Sequence, residues 1–176
     1  TSDEPVREMR VGALWTAVCS RCCGLASIPH WEGDRRVEED GGLRDCVGRS
    51  AAEVARLALE PDPVRAAIGV AAINSLLEVD PGAFVDLNAA DLLSARGEGK
   101  HVALVGHFPF VPALRRSVGQ LSVLELHPRE DDFPAEEAAD VIPRAEVVAI
   151  TGRAIVNHTI DHLLSLCRPD ALVVIL

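Results

Sequence analysis

Three segments in the second half of this 176-residue chain carry the side chains best suited to chemistry: Gly106-His107-Phe108-Pro109, the acid Glu125, and Thr151-Gly152 running on to Asn157-His158. His107 follows a glycine and precedes Phe108-Pro109, a setting that should hold its ring in place. An imidazole can carry a proton or bind a metal near neutral pH. A carboxylate such as Glu125 can accept hydrogen bonds from ribose hydroxyls when it ends a strand of a nucleotide-binding sheet. The Thr151 hydroxyl and a free Gly152 amide at a helix start would make a corner that favours anions. His158 and His162 are four apart with Asp161 between them, so a continuous helix would put both rings on one face, as zinc sites do. Without a Glu in the H-E-x-x-H pattern this signal is weak, and His107 and His158 are the metal-ligand candidates. Each residue also has a plainer reading: Gly106 as a tight turn, Glu125 as a solvated charge, His107 as a cap on the strand edge, and Asn157-His158 as a helix-face pair satisfied locally.

The first segment lacks the G-x-G-x-x-G pattern. Only Gly106 is present, and Pro109 and Pro112 remove backbone donors that a pyrophosphate cradle needs. A standard dinucleotide site is therefore disfavoured. Five cysteines are present, at positions 19, 22, 23, 46 and 167. Cys19-x-x-Cys22-Cys23 has metal-knuckle spacing, but there is no second C-x-x-C and no helix start beside it. The odd count argues against a disulfide framework. The expectation is free Cys46 and Cys167, with Cys19, Cys22 and Cys23 packed on strands and holding no structural metal.

The elements that must position these residues are legible from pattern. Residues 7–28 read as two strands, with Ser20-Arg21 between them. Residues 29–49, rich in Gly and charge, read as a loop or as a short strand between loops. Ser50-Ala51-Ala52-Glu53 is a capping box opening a helix over 51–60. Asp62-Pro63 starts a second helix, 63–78, with Ile68, Ala71, Ala72, Leu76 and Val79 at helical spacing. Asn88 caps a third, 89–96, closed by Gly97. Four apolar runs of strand length follow, at 101–106, 121–126, 146–151 and 171–176, separated by helical candidates at 110–119, 134–141 and 153–167. Strand–helix alternation at this spacing means parallel strands with crossovers. Ligands of such sheets bind beyond the carboxyl ends of the strands, which selects the loops Gly106 to Pro109, Glu125 to Arg129, and Thr151-Gly152-Arg153 running into Asn157-His158. The expected fold class is α/β: a small α+β domain, 1–97, followed by a Rossmann-like domain, 98–176, read as truncated at its C-terminus because the chain stops inside a hydrophobic strand.

Composition narrows the function. The net charge is -10, and no basic run exceeds Arg35-Arg36 or Arg115-Arg116, so nucleic acid is not an expected partner. No apolar stretch reaches the ~20 residues of a membrane span. The opening TSDEPVREMR has acids and no apolar core, unlike a signal peptide, so the expected compartment is the cytoplasm.

The ordered runs VALVGHFPFVPALR, LELHPREDDFP, DVIPRAEVVAITGRAIVNHT and CRPDALVVIL, with LWTAV, GLAS and IGVAAINSLL before them, resemble the heavy-metal chelation domain family over nearly the whole chain. That resemblance implies a first domain like the N-terminal domain of enolase, a Rossmann-like second domain, and a ligand site in the cleft between them. By position it points to Gly106 to Pro109, Glu125 to Pro128 and Thr151 to Asn157, and from the first domain to Thr16 and Asn74. Family members continue with a Gly-Pro-Ser-rich loop that would form one wall of the cleft. The cysteine cluster is not part of the family pattern. Three functions are therefore carried forward. One is the binding of a divalent or heavy metal ion, or of a metal-chelating small molecule. Another is a Rossmann-type, transferase-like enzyme with a nucleotide or adenosyl ligand. The third is a non-catalytic sensor or scaffold. Fold alone does not choose among them, and a homo-oligomer is compatible with all three.

Overall fold

The computed structural model describes residues 3–28 and 45–176. The chain divides into two compact units, Thr1–Ala83 with Ile155–His158, and Phe84–Ala154 with Thr159–Leu176.

The first unit begins with an antiparallel meander of three strands, β1 (Glu8–Val11), β2 (Trp15–Cys19) and β3 (Cys23–Ser27), where two strands were expected. The additional strand is β1. Val11, Leu14, Ala17 and Val18 look continuous in sequence, but the chain turns at 12–14, where Gly12 donates to the Trp15 carbonyl. Period-two alternation buries Thr16 and Val18 of β2, and Gly24 and Ala26 of β3. Helix α1 (Ala51–Ala55) continues as a 3-10 turn at 56–59, and α2 is Pro63–Leu76. The Ser50 hydroxyl accepts from the Glu53 amide as a cap should. The Glu53 carboxylate lies 3.6 Å from the Arg49 guanidinium. Asp62 accepts from the amides of Val64 and Arg65 with Pro63 at the first turn, as its sequence requires. Residues 66–72 of α2 are all buried, so this helix is a core element rather than an amphipathic surface one. It ends at Leu76, short of the expected 78, and Val79 lies beyond it, exposed.

Helix α3 (Ala89–Gly97) groups with the second unit, in which its Leu93 is fully buried against Val102 and Leu104. The contacts thus divide the chain at Ala83–Phe84, upstream of the glycine-rich turn at 97–99 where the texture of the sequence changes. Five strands follow: β4 (His101–Val105), β5 (Gln120–Glu125), β6 (Phe133–Pro134), β7 (Val147–Ile150) and β8 (Leu172–Ile175). All neighbours are parallel, in the order β6-β5-β4-β7-β8. In sequence order this is 3-2-1-4-5, the arrangement of a Rossmann sheet, whose order reverses between its first and fourth strands. Strand β6 escapes a sequence reading because two residues show no periodicity. Apolar side chains alternate between the faces. Val102, Leu104, Val123 and Ala149 pack beneath α3 and α4 (Val111–Ser117). Ala103, Leu124, Val148 and Ile150 pack beneath α5 (Ala138–Val141) and α7 (Ile160–Leu166).

The segment expected as one helix over 153–167 is two, α6 (Arg153–Val156) and α7. Between them His158 adopts φ 60°, a left-handed conformation that ends α6. No helix among the described residues is long and apolar enough to cross a membrane.

The cysteines depart from expectation. Cys19 and Cys23 face each other across β2 and β3, with Cα atoms 4.1 Å apart, and form a disulfide. An odd total does not prevent a pair from bonding when strand register opposes two of them. Cys22, Cys46 and Cys167 are free. Burial pushes the Cys46 and Cys167 thiols up from the usual range, whereas Cys22 is exposed. Because the thiolate is the reactive form, iodoacetamide at neutral pH should label one thiol per folded chain quickly. That label should disappear in Cys22→Ser, and rapid labelling of Cys46 in the native protein would contradict this reading.

Candidate functional site

The loop leaving β4 turns sharply. Gly106 sits at φ 100°, and a Cβ built there would lie 3.2 Å from the Thr151 Cβ and 3.3 Å from the Phe108 ring. Only glycine takes this backbone at no cost and leaves that space open. The Gly106 amide donates to the Leu124 carbonyl, and the Thr151 amide to that of Val105, so the ends of β4, β5 and β7 are laced together where the strand order reverses. The Phe108 and Phe110 rings stack at 5.2 Å across the exposed Pro109.

His107 then lies in a network whose hydrogen bonds define its state. Its amide donates to Glu125 Oε2 at 2.8 Å. Its Nδ1 is 2.9 Å from Asp132 Oδ2, and its Nε2 is 2.8 Å from Arg129 Nη1. A guanidinium can only donate, so Nε2 accepts. The ring proton is therefore on Nδ1 and is given to the carboxylate, an assignment made from the hydrogen-bond pattern. The Asp132 side chain is 2 % exposed and that of His107 16 %. Asp132 Oδ2 also accepts from the Arg129 amide at 3.2 Å, and the Asp132 amide donates back to the Arg129 carbonyl, which folds 129–132 into a tight turn beneath the ring.

This network borders a cavity of about 480 Å³ between α4 and the β5–β6 loop. Arg115, Arg116 and Arg129 line it together with His107; Glu130, Asp131 and Asp132 are also at its wall. Arg115 Nη2 donates to the Asp131 carbonyl at 3.4 Å. Three guanidinium forks in one cavity are suited to carboxylate or phosphate oxygens, which they can grip in pairs.

Among the other expected site residues, Glu125 touches His107 and Thr151 lies against Gly106, but their polar groups are already engaged. Both Glu125 oxygens are used to close its own loop, since Oε1 accepts from the Leu126 amide while Oε2 holds that of His107. The Gly152 amide is not free for an anion, because it donates to the Leu176 carbonyl at 2.7 Å, extending the β7–β8 pairing. The Thr151 hydroxyl accepts from the Arg153 amide at the start of α6. Asn157 and His158 group with the first unit. There His158 Nε2 donates to the Ala58 carbonyl at 2.7 Å, and the helix break removes the shared face it needed with His162. In the first unit, Thr16 is buried and donates to the Arg10 carbonyl, while Asn74 Nδ2 donates to that of Leu25, tying α2 to β3. Sequence reasoning picked out His107 and selected the loop that ends at Arg129 without giving that residue a role, and it missed Asp132. The signal available was the run Arg129-Glu130-Asp131-Asp132, four consecutive charged residues in the loop that follows a buried strand.

A resident metal does not fit this donor set. Among the described residues no three His, Cys, Asp or Glu side chains are grouped to hold an ion. At the cavity the one imidazole lone pair accepts from a cation.

No curated protein matches the chain. Solved structures that resemble it include two, each of a protein of unknown function from the DUF364 family. One, from Desulfitobacterium hafniense DCB-2, is 25% identical with a TM-score of 0.85 over 98% of this chain and 71% of its own. The other, from Pyrococcus horikoshii, is 19% identical with a TM-score of 0.78 over 99% of this chain and 72% of its own, and bears on the fold alone. A second family model, DUF4213, matches residues 1–77 and shares the description "Putative heavy-metal chelation". The DUF364 model, which carries that same description, matches residues 88–176, just over half the chain, and the chain therefore belongs to the DUF364 family.

Proposed function

We propose that the second unit binds a small, oxygen-rich anion, a carboxylate- or phosphate-bearing molecule able to chelate a metal ion, in the cavity beside His107. The observation that carries this reading is the Arg129–His107–Asp132 chain. Arg129 is paired with a neutral ring nitrogen, a weak partner that a ligand oxyanion can replace. Asp132 keeps the imidazole oriented while that exchange takes place. Arg115 and Arg116 supply further forks, and Glu130 and Asp131 discriminate against ligands carrying negative charge in the wrong place. A metal would then arrive already held by the bound molecule, which reconciles the family's description with a cation-lined cavity. The adenosyl or nucleotide alternative draws no support from Glu125, whose carboxylate is spent on two backbone amides.

The test is thermal unfolding and calorimetry of the whole chain, disulfide intact, with inorganic phosphate, citrate, citrate plus zinc, and zinc alone. A ligand of the native state at 100 times its Kd stabilises by about 2.7 kcal/mol. Citrate, alone or with zinc, should raise the melting temperature, and Arg129→Gln should abolish most of the effect. Stabilisation by zinc alone that persists in Arg129→Gln, or no response to any of the anions, would overturn the proposal.

A further inference from the structure

The first unit carries a second feature, independent of the cavity. We infer that the Cys19–Cys23 pair, once reduced, is a two-thiolate site for a soft, thiophilic ion such as Cd²⁺, Hg²⁺ or trivalent arsenic, and that the disulfide is its closed state.

Four observations support this. The two cysteines are register partners on adjacent antiparallel strands, with Cα atoms 4.1 Å apart, so their side chains leave the same face side by side. Cys23 is exposed and Cys19 half-buried, so a reductant and an ion can both reach the pair. The backbone that sets the spacing does not depend on the S–S bond. Ser20 N–H donates to the Cys22 carbonyl, Cys22 N–H to that of Ser75, and the Ser20 and Ser75 hydroxyls lie 2.6 Å apart, which pins the turn to the end of α2. Trp15–Ser27 and Ala17–Leu25 continue the same ladder below. The two sulfurs should therefore remain neighbours after reduction. Finally, the other thiols do not offer a second pair. Cys46 is buried, Cys167 is half-buried and donates to the Leu163 carbonyl, and Cys22, although exposed, is a single thiol that donates toward the Ser75 carbonyl at 3.2 Å.

The chemistry balances simply. An external dithiol or phosphine supplies two electrons, the S–S bond breaks, and two protons from solvent complete the thiols. Ion binding then releases those two protons as two S–M bonds form. Thiolates select soft ions over magnesium or calcium. Oxidation of the free dithiol re-forms the disulfide and excludes the ion, so the state of the hairpin gates the site.

The experiment compares one preparation in two states. Protein reduced with a phosphine and desalted anaerobically is titrated with Cd²⁺, following thiolate-to-metal absorption in the near ultraviolet, and with phenylarsine oxide, following mass. The expected result is one equivalent bound per reduced chain and at least a tenfold loss of affinity in the oxidised chain. Cys19→Ser and Cys23→Ser should lose binding, whereas Cys22→Ser and Cys46→Ala should keep it, with circular dichroism reporting the fold of each. Equal binding by oxidised and reduced wild-type protein, no binding by reduced wild type, or loss of binding in Cys22→Ser would each overturn the assignment. The oxidised–reduced comparison needs no variant, so a misfolded substitution does not leave the question open. Because the site lies wholly in the first unit, its failure would leave the anion-binding reading of the second untouched.

Discussion

Replacing Gly24 by valine should unfold the first unit at temperatures where the native chain is intact. Gly24 lies on β3 directly against α2. A Cβ at that position would stand 2.1 Å from the Ala71 carbonyl oxygen, 2.4 Å from the Ser75 nitrogen and 2.8 Å from the Asn74 carbonyl carbon. All three are backbone atoms of a buried helix, so no side chain can swing away to make room. Either the helix lifts off the sheet or the strand leaves its register. Lifting the helix exposes the apolar cluster of Val18, Ala26, Ile68 and Ala72. It also breaks the Asn74–Leu25 and Ser75–Cys22 hydrogen bonds that hold the hairpin. Overpacking of a core costs about 1–3 kcal/mol and more when backbone must move, so a loss of about 3 kcal/mol or more is expected. For a unit of this size that is a fall in Tm on the order of 10 °C or more. Circular dichroism melts, with hydrogen exchange across residues 63–76, measure it directly. A Gly24→Val chain melting within ~2 °C of the parent would mean that α2 does not sit on β3 as described.

The second large effect is expected for Asp132→Asn. The carboxylate is nearly inaccessible and accepts from both His107 Nδ1 and the Arg129 amide. Hydrogen bonds to a charged group contribute about 1.5–3 kcal/mol, and a drop in stability of that order should follow. The response of the imidazole is more diagnostic. Both donors converge on Oδ2, so asparagine should set its carbonyl oxygen there and leave the ring proton on Nδ1, with only the charge lost. Asp132→Leu, which leaves Nδ1 without an acceptor, should instead release the ring from that tautomer and loosen its 2.8 Å contact with Arg129. Ring ¹⁵N shifts of His107 should therefore report protonation at Nδ1 in the parent and in Asp132→Asn, and a mixture of Nδ1 and Nε2 in Asp132→Leu. Citrate affinity, if citrate binds as proposed, should fall roughly tenfold in Asp132→Leu, about 1.4 kcal/mol. Unchanged ring shifts in Asp132→Leu would show that Asp132 does not set the tautomer.

Much of this architecture follows from local pattern. Asp62-Pro63 dictates the start of α2, because a capping carboxylate and a proline that needs no amide partner agree at adjacent positions. The apolar runs at β4, β5, β7 and β8, spaced by helices, allow only a parallel sheet, and β4 and β7 do pair in parallel. His107 could be singled out because its neighbours Gly106 and Pro109 restrict the chain at a strand end, where ligands of such sheets bind.

What the sequence left open depends on distances between residues far apart in the chain. Cys19 and Cys22 share a suggestive spacing, yet strand register opposes Cys19 to Cys23, because a hairpin pairs residues by their distance from the turn and not by motif. His158 and His162 have helical spacing, but one left-handed residue breaks the helix between them, and the His158 ring is held by the Ala58 carbonyl a hundred residues away. Glu125 and Gly152 carry the groups expected of a ligand site, but the carboxylate and the amide are consumed by the backbone of neighbouring loops and strands. Asp132 and Arg129 are more than twenty residues from His107 in the chain and meet its ring only because the loop ahead of the two-residue strand β6 folds back beneath it. Local sequence determines which backbone conformations are cheap and which faces must be buried. Which polar groups remain available for a ligand is decided only when the tertiary structure has satisfied the rest.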